Sequence, residues 1–294
     1  MTLNTCRLCQ KQAELQNSHI LPAFAFRWLK ESAGNGHIRF GENINQRVQD
    51  GMKRYWLCTT CEGILNRSET AFANNLFYPY LEKSGNHFHY SRWLLHFCAS
   101  LSWRILLLHL EEHPTKNWDK SDIELLRKAE SVWRDFLLGD RPHPGSFRQH
   151  LLPLDRIEST SGSFVSNINR YLMRAIDTDI CRGDSNIFTY VKLGRFIVLG
   201  FVREPNPNRW KGTKINANKG IVGPKEYVLP KPFGEYLNKK AQRMSELLNS
   251  VSDKQQAKID SAFRKNIDNY IGSDVFQAMT ADINMFGDEA FSKN

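Results

Sequence analysis

The chain has 294 residues, of which 41% are hydrophobic and 24% are charged, with 18 Phe, 7 Trp and 9 Tyr. This composition excludes a disordered, collagen-like or coiled-coil chain, and the length allows one large domain or two smaller ones. Lys and Arg number 40 against 31 Asp and Glu, which gives a net charge of +9. Such an excess suits a polyanionic partner or serves solubility.

The chain begins MTLNTCRLCQ, which lacks the apolar segment of a secretory signal. We therefore expect a cytoplasmic protein whose six cysteines stay reduced. Reduced cysteines in closely spaced pairs favour metal binding over disulfide formation.

Four of the cysteines form two CxxC pairs, Cys6 with Cys9 and Cys58 with Cys61. Each spacing lets a tight turn direct two thiolates at one ion, and four sulfurs complete the tetrahedral site that zinc prefers. The pattern predicts a structural zinc ion within a module of residues 1–69. A redox CxxC motif, or two unrelated cysteine pairs, would be the alternatives.

Residues 70–182 are predicted to form a helical body, because apolar residues recur there every three or four positions. The run from Trp93 to Leu110 nearly reaches membrane-spanning length, but it carries three ionisable side chains. We expect a buried amphipathic helix there and no membrane partner. Residues 141–163 contain three prolines and predict a long connector, and residues 164–182 predict a further helix.

The spacing of the apolar residues changes in the last segment, residues 183–294. Residues 187–202 are rich in β-branched and aromatic side chains and are interrupted by Gly194, which predicts two strands or one bent strand. A turn-rich stretch follows, and residues 233–271 return to helical periodicity. The predicted fold class is α+β, mainly helical, with a strand-rich basic segment followed by C-terminal helices.

Positive charge is concentrated in residues 203–265, where Lys and Arg exceed Asp and Glu by eight. Basic groups interleaved with an aromatic ring can neutralise phosphates and stack on bases, and a solvated hairpin face is the alternative. The residues predicted to bind nucleic acid are Arg209, Trp210, Lys211, Lys214 and Lys219.

Nine residues separate Cys9 from His19, which stands in the sequence SHILP, and Glu62 directly follows Cys61. Here the chain resembles the HNH nucleases, the His-Me finger family with a ββα-metal core. A zinc-stapled form of that family has a CxxC pair, about nine residues, a His in a DHIxP-like strand, and a second CxxC pair. The resemblance covers residues 6 to about 69 and implies a treble-clef, HNH-like module.

The resemblance implies that His19 is the general base that activates water for attack on a phosphodiester, while a divalent ion such as Mg²⁺ stabilises the leaving oxygen. Glu62 stands where the family has its metal-binding His, and Asn66 lies one helical turn later, so both are implied ligands of that ion. Ser18 stands at the position of another family ligand, and Lys53 replaces the family's middle Asn.

The leading interpretation is a cytoplasmic, zinc-binding, HNH-like endonuclease that hydrolyses phosphodiester bonds in nucleic acid, DNA rather than RNA. Analogy with the family suggests a bacterial phage-defence or mobile-element setting. One alternative is a non-catalytic treble-clef protein that recognises nucleic acid or a partner protein. Another is an interaction subunit whose helices dock on a second chain.

Overall fold

The structure, a computed structural model, shows a mixed α/β fold and describes residues 3–32, 38–40, 43–48, 50–112, 118–160, 164–183, 185–204, 206–265, 267–271 and 273–291. The strands are β1 (Asn4–Thr5), β2 (Gln12–Ala13), β3 (Leu15–His19), β4 (Ile38–Phe40), β5 (Asn43–Val48), β6 (Lys53–Cys58), β7 (Phe88–Ser91), β8 (Gln149–Pro153), β9 (Ile176–Arg182), β10 (Ile187–Leu193), β11 (Phe196–Arg203) and β12 (Lys219–Val222). The α-helices are α1 (Ala23–Glu31), α2 (Thr59–Phe72), α3 (Tyr78–Leu81), α4 (Arg92–Glu112), α5 (Lys120–Leu138), α6 (Ile168–Arg174), α7 (Lys231–Asn249), α8 (Asp253–Lys265), α9 (Ile267–Tyr270) and α10 (Asp274–Phe286).

The N-terminal part of the chain builds a ββα unit from β3, β6 and α2. The two strands are antiparallel, with Leu15 opposite Cys58 and His19 opposite Lys53. Helix α2 begins at the residue after β6 and packs against both strands and against α4. The unit therefore holds the second cysteine pair at one end of its hairpin and His19 at the other.

Helix α4 lies at the centre of the fold, where the sequence predicted a buried amphipathic helix. By length and composition alone it could cross a membrane, but 67% of its apolar window is buried inside the protein. It contacts α2 and α5 on one side and the strands β8 to β11 on the other. Its apolar character is accounted for by these contacts on several sides.

The largest sheet has the strand order β8-β11-β10-β9, and each neighbouring pair is antiparallel. Alternate side chains of β10 and β11 enter two different hydrophobic clusters, one containing α4 and the other containing α6 and α7. Because both faces of the sheet are covered, β10 and β11 consist of nearly continuous apolar residues. The two strands predicted within residues 187–202 are confirmed, and Gly194 turns the chain between them with φ +54°.

Two predictions about the middle of the chain are wrong. The connector expected at 141–163 contains strand β8, which pairs with β11 and buries Leu151 and Leu152. The helix expected at 164–182 ends at Arg174, and the chain continues as β9 beside β10. In both places the backbone pairs with a neighbouring strand of the sheet, and this outweighs the local pattern.

The C-terminal helices predicted for residues 233–271 are present as α7, α8 and α9. Helix α7 packs Phe233, Leu237 and Ala241 into the second hydrophobic cluster. The first cluster extends along the chain from Cys6 to Val222, so it draws side chains from all three predicted segments. The division at residues 69 and 182 stays a prediction.

Candidate metal centre and the His19 hairpin

The two cysteine pairs come together at the junction of β6 and α2. The Sγ atoms of Cys6, Cys9, Cys58 and Cys61 all lie within 4.8 Å of one another, and the Cys9 and Cys58 sulfurs are 3.9 Å apart. Tetrahedral zinc with Zn–S bonds of about 2.3 Å holds its sulfurs about 3.8 Å apart. The donor set and its spacing therefore fit a zinc ion, as the sequence predicted.

Local backbone geometry brings the first pair into position. A tight turn after β1 is closed by hydrogen bonds of 2.9 Å from the Gln10 amide to the Cys6 carbonyl and from the Cys6 amide to the Lys11 carbonyl. Gln10 adopts φ +60°, which reverses the chain just after the pair. The Cys58 amide donates to Cys6 Sγ at 3.4 Å, which ties the second pair to the first.

The thiols of Cys6 and Cys61 respond differently to their shared environment. Burial acts to raise the pKa of Cys6, but hydrogen bonds from the backbone amides of Cys9, Cys58 and Leu8 outweigh it and lower the pKa to about 7. Burial raises the pKa of Cys61, and the neighbouring sulfurs raise it further. A cation at the centre would stabilise all four as thiolates, because a metal deprotonates the thiols that bind it.

At the far end of the hairpin His19 contacts a carboxylate that the sequence did not single out. His19 Nε2 lies 2.8 Å from Asp50 Oδ2, and Lys53 Nζ lies 2.8 Å from the same oxygen. Partial burial acts to raise the pKa of Asp50, but the close contacts with Lys53 and His19 and a hydrogen bond from the Gly51 amide outweigh it and lower the pKa to about 2. Asp50 is therefore ionised at neutral pH, and the imidazole, 22% exposed, faces a fixed negative charge.

A buried arginine from α4 fixes the backbone of the same strand end. Arg104 Nη1 donates to the His19 carbonyl oxygen at 3.1 Å, and Nη2 donates to Glu69 Oε1 at 2.7 Å. The guanidinium thus links β3, α2 and α4 through one side chain. Sequence analysis missed both Arg104 and Asp50, although the Asp50-Gly51 dipeptide just before β6 is a turn signal.

The residues implied as ligands of a divalent ion lie on α2 and β3. Glu62 lies in the first turn of α2 beside Cys61, and Asn66 is exposed one turn later. Ser18 is buried and donates to the Gln16 carbonyl. Among the described residues, the four cysteines are the only group of three or more His, Cys, Asp or Glu placed to share an ion.

The predicted nucleic-acid-binding residues divide into two groups. Arg209, Lys211, Lys214 and Lys219 are exposed, as a role in phosphate contact requires. Trp210 is only 4% exposed and packs against Phe188, Phe201 and Phe233. Its predicted role of stacking on a base is corrected here, because burial among these rings satisfies the apolar indole better than water would.

In comparisons with known proteins, no family model, curated protein or solved structure matched the chain. The similarity to HNH nucleases rests on the residues quoted above. What the structure adds is the clustering of the four cysteines and the contact between His19 and Asp50.

Proposed function

We propose that the protein is a cytoplasmic, HNH-like endonuclease that hydrolyses phosphodiester bonds in nucleic acid, DNA in preference to RNA. The observation that carries the proposal is the 2.8 Å contact between His19 Nε2 and Asp50 Oδ2 on a ββα unit that also carries the cysteine cluster. Histidine is the commonest general base in enzymes, and a carboxylate on one ring nitrogen orients the imidazole and stabilises its protonated form.

The contact suggests how the two ring nitrogens divide their roles. With Nε2 in contact with Asp50 Oδ2 at 2.8 Å, Nδ1 of His19 would accept the proton from the attacking water. The Asp50 carboxylate would then stabilise the imidazolium, and Lys53 and the Gly51 amide hold that carboxylate in place. Arg104 keeps the backbone of His19 fixed during the reaction.

Two kinds of metal ion enter the proposal. Zinc, held by the four cysteines, would stabilise the ββα unit. Mg²⁺ commonly uses one or two protein carboxylates and completes its shell with water and substrate phosphate oxygens. Glu62 and Asn66 could hold such an ion in this way, and it would supply charge stabilisation for the leaving oxygen.

The test is cleavage of a supercoiled plasmid by the full chain in Mg²⁺ or Mn²⁺. We expect His19→Ala to lower the cleavage rate by about 100-fold or more and Asp50→Asn to lower it by about tenfold or more. Glu62→Gln is expected to raise the concentration of divalent ion needed for half-maximal rate. His89→Ala, which removes an exposed strand histidine, is the matched control and should cleave at the wild-type rate.

Zinc content of each variant shows whether the fold is retained. Equal rates for the wild type and His19→Ala would remove the proposed active site. No cleavage by any variant, together with salt-dependent DNA binding, would favour the non-catalytic treble-clef alternative, in which the exposed basic residues grip phosphates and zinc only stabilises the fold. Binding to DNA that does not depend on salt would point instead to an interaction subunit for a partner protein.

The biological setting is proposed by analogy alone. If the protein acts in bacterial phage defence, its expression should lower phage plating efficiency, and His19→Ala should abolish that effect. Unchanged plating with active enzyme would favour the mobile-element setting.

A further inference from the structure

Helix α8 contributes little to the packing of the protein. None of its residues is buried, and its partly buried side chains, among them Gln255, Ile259 and Ala262, lie on one side. A 13-residue helix with so little apolar burial is not explained by core formation. The exposed surface of the helix is therefore the informative one.

A stripe of lysines lies on this exposed surface. Lys254, Lys258, Ser261 and Lys265 are all exposed, and at 3.6 residues per turn their spacing places them within about 60° of the helix circumference. With a rise of 1.5 Å per residue, the stripe is about 16 Å long. Its three ammonium groups form no ion pair with any described residue. We call these four residues the lysine stripe.

The start of α8 is attached to strand β5, which precedes Asp50 in the chain. The Ser252 amide, one residue before the helix, donates to Asn45 Oδ1 of β5 at 2.8 Å. Strand β5 ends at Val48, two residues before Asp50. The contact places the first turn of α8 beside β5, the strand that ends two residues before Asp50.

We propose that the lysine stripe binds the phosphate backbone of duplex DNA while another part of the same duplex contacts His19. The proposal rests on the proposed function, which it extends by naming a contact surface for the substrate. Duplex DNA carries one negative charge per about 1.7 Å of axis, so a stripe about 16 Å long meets many phosphates. The stripe has no aromatic side chain, so its contacts position the DNA without reading its sequence.

An anionic membrane surface is the other polyanion to consider, and the side chains argue against it. A helix that lies on a membrane buries a broad apolar face among the lipids. The lysine stripe has no such face, and the nearby Phe263 packs its ring against Tyr270 at 4.7 Å between centroids. The lack of an apolar face on the stripe therefore favours nucleic acid.

The experiment compares two triple variants of the full chain. In the first, Lys254, Lys258 and Lys265 are changed to Gln. In the second, the matched control, the exposed residues Lys120, Arg127 and Lys128 of α5 are changed to Gln, which removes the same charge elsewhere. Affinity for a 30-base-pair duplex is measured between about 50 and 200 mM salt.

We expect the stripe variant to bind about tenfold or more weakly at low salt, with the salt slope reduced by about 0.9 for each phosphate that its side chains no longer neutralise. The reduction in affinity should be the same for unrelated sequences, and the control should bind like the wild type. Equally weakened binding in both variants would show a net-charge effect and overturn the proposal, as would an unchanged slope in the stripe variant.

Two further outcomes separate this proposal from the proposed function. If the wild type binds DNA but fails to cleave it while the stripe variant loses affinity, the lysine stripe stands and the catalytic assignment falls. If the wild type cleaves DNA and the stripe variant binds it normally, the catalytic assignment stands alone. Retention on phosphatidylserine vesicles without binding to DNA would overturn the stripe's assignment to nucleic acid.

Discussion

Lys192 on β10 is completely buried, and its position gives it an unusual charge state. Its Nζ donates to the Leu172 carbonyl oxygen at 2.7 Å and also to the Gly194 carbonyl oxygen. Burial lowers the pKa of Lys192 to about 7, against the opposing effect of the Asp177 charge. A neutral amine can still donate two hydrogen bonds, so the site accepts the uncharged form.

This pKa predicts a pH-dependent stability. Between pH 7 and about 10.4 the unfolded chain binds more protons at this residue than the folded chain does, so the free energy of unfolding should rise with pH over that range. Lys192→Met removes this rise and leaves two carbonyls without their donor, at a cost of about 1–3 kcal/mol. Urea unfolding from pH 6 to 10 should show the deficit of the variant to be largest at pH 10.

The control for this prediction is Lys128→Met, in which an exposed lysine of α5 is replaced. Its difference from the wild type should not change with pH. A constant deficit for Lys192→Met would mean that Lys192 titrates in the folded protein as it does in the unfolded chain.

At the same scale, His19 shows what a residue pattern can and cannot assign. The resemblance of its surroundings to the HNH nucleases implied a general base at this position. Its carboxylate partner was not predicted, because Asp50 lies 31 residues away in the chain and reaches His19 only when β3 pairs with β6. A contact of this kind depends on strand register, which local sequence does not encode.

At the scale of elements, the close packing of α4 on the four-stranded sheet depends on a glycine, Gly200. A Cβ atom at Gly200 of β11 would lie 2.3 Å from Ser102 Oγ of α4 and 2.7 Å from Thr189 Oγ1 of β10. Any larger residue would push the helix and the sheet apart. The glycine is therefore a packing requirement at this crossing.

We expect Gly200→Ala to lower the free energy of unfolding by about 1–3 kcal/mol, because overpacking forces neighbouring side chains to move. Gly234→Ala in α7 is the control, since a Cβ there meets nothing within 4 Å, and it should be neutral or stabilise the helix by up to about 1 kcal/mol. Chemical denaturation of both variants measures the difference. Similar stability for the two would show that α4 is more loosely packed than the structure indicates.

The same scale explains which elements could be predicted. Strands β10 and β11 carry a strong β-branched and aromatic pattern, so both were expected from the sequence. Strands β8 and β9 lie at the two edges of the sheet and contain a proline or several charged residues, so their local pattern suggested a connector and a helix. Pairing with β11 and β10 made them strands.

At the scale of the whole molecule, the cysteine cluster shares its core with distant elements. Cys6 and Cys61 belong to the same hydrophobic cluster as Trp103 of α4 and Val198 of β11. Zinc at the cluster would therefore stabilise more than the N-terminal module. This predicts that metal loss and global unfolding are linked, because an ion that binds only the folded chain stabilises it.

We expect about one zinc ion per chain in the wild type and none in Cys61→Ser. The variant should unfold in a single calorimetric transition, with a midpoint lowered by at least about 5 °C. Cys181→Ser, which changes a cysteine outside the cluster, should keep its zinc. Two separate transitions in the variant would mean that the predicted module of residues 1–69 unfolds independently of the rest.

By itself, the sequence determined the features that depend on short spacing. Two CxxC pairs define a four-sulfur site, the apolar period defines the central helix α4, and β-branched runs define β10 and β11. The tertiary structure alone decided which distant groups meet. It placed Asp50 against His19, moved Trp210 into the core and left the lysines of α8 facing solvent, because burial and strand pairing are settled by the packing of the whole chain and not by any one segment.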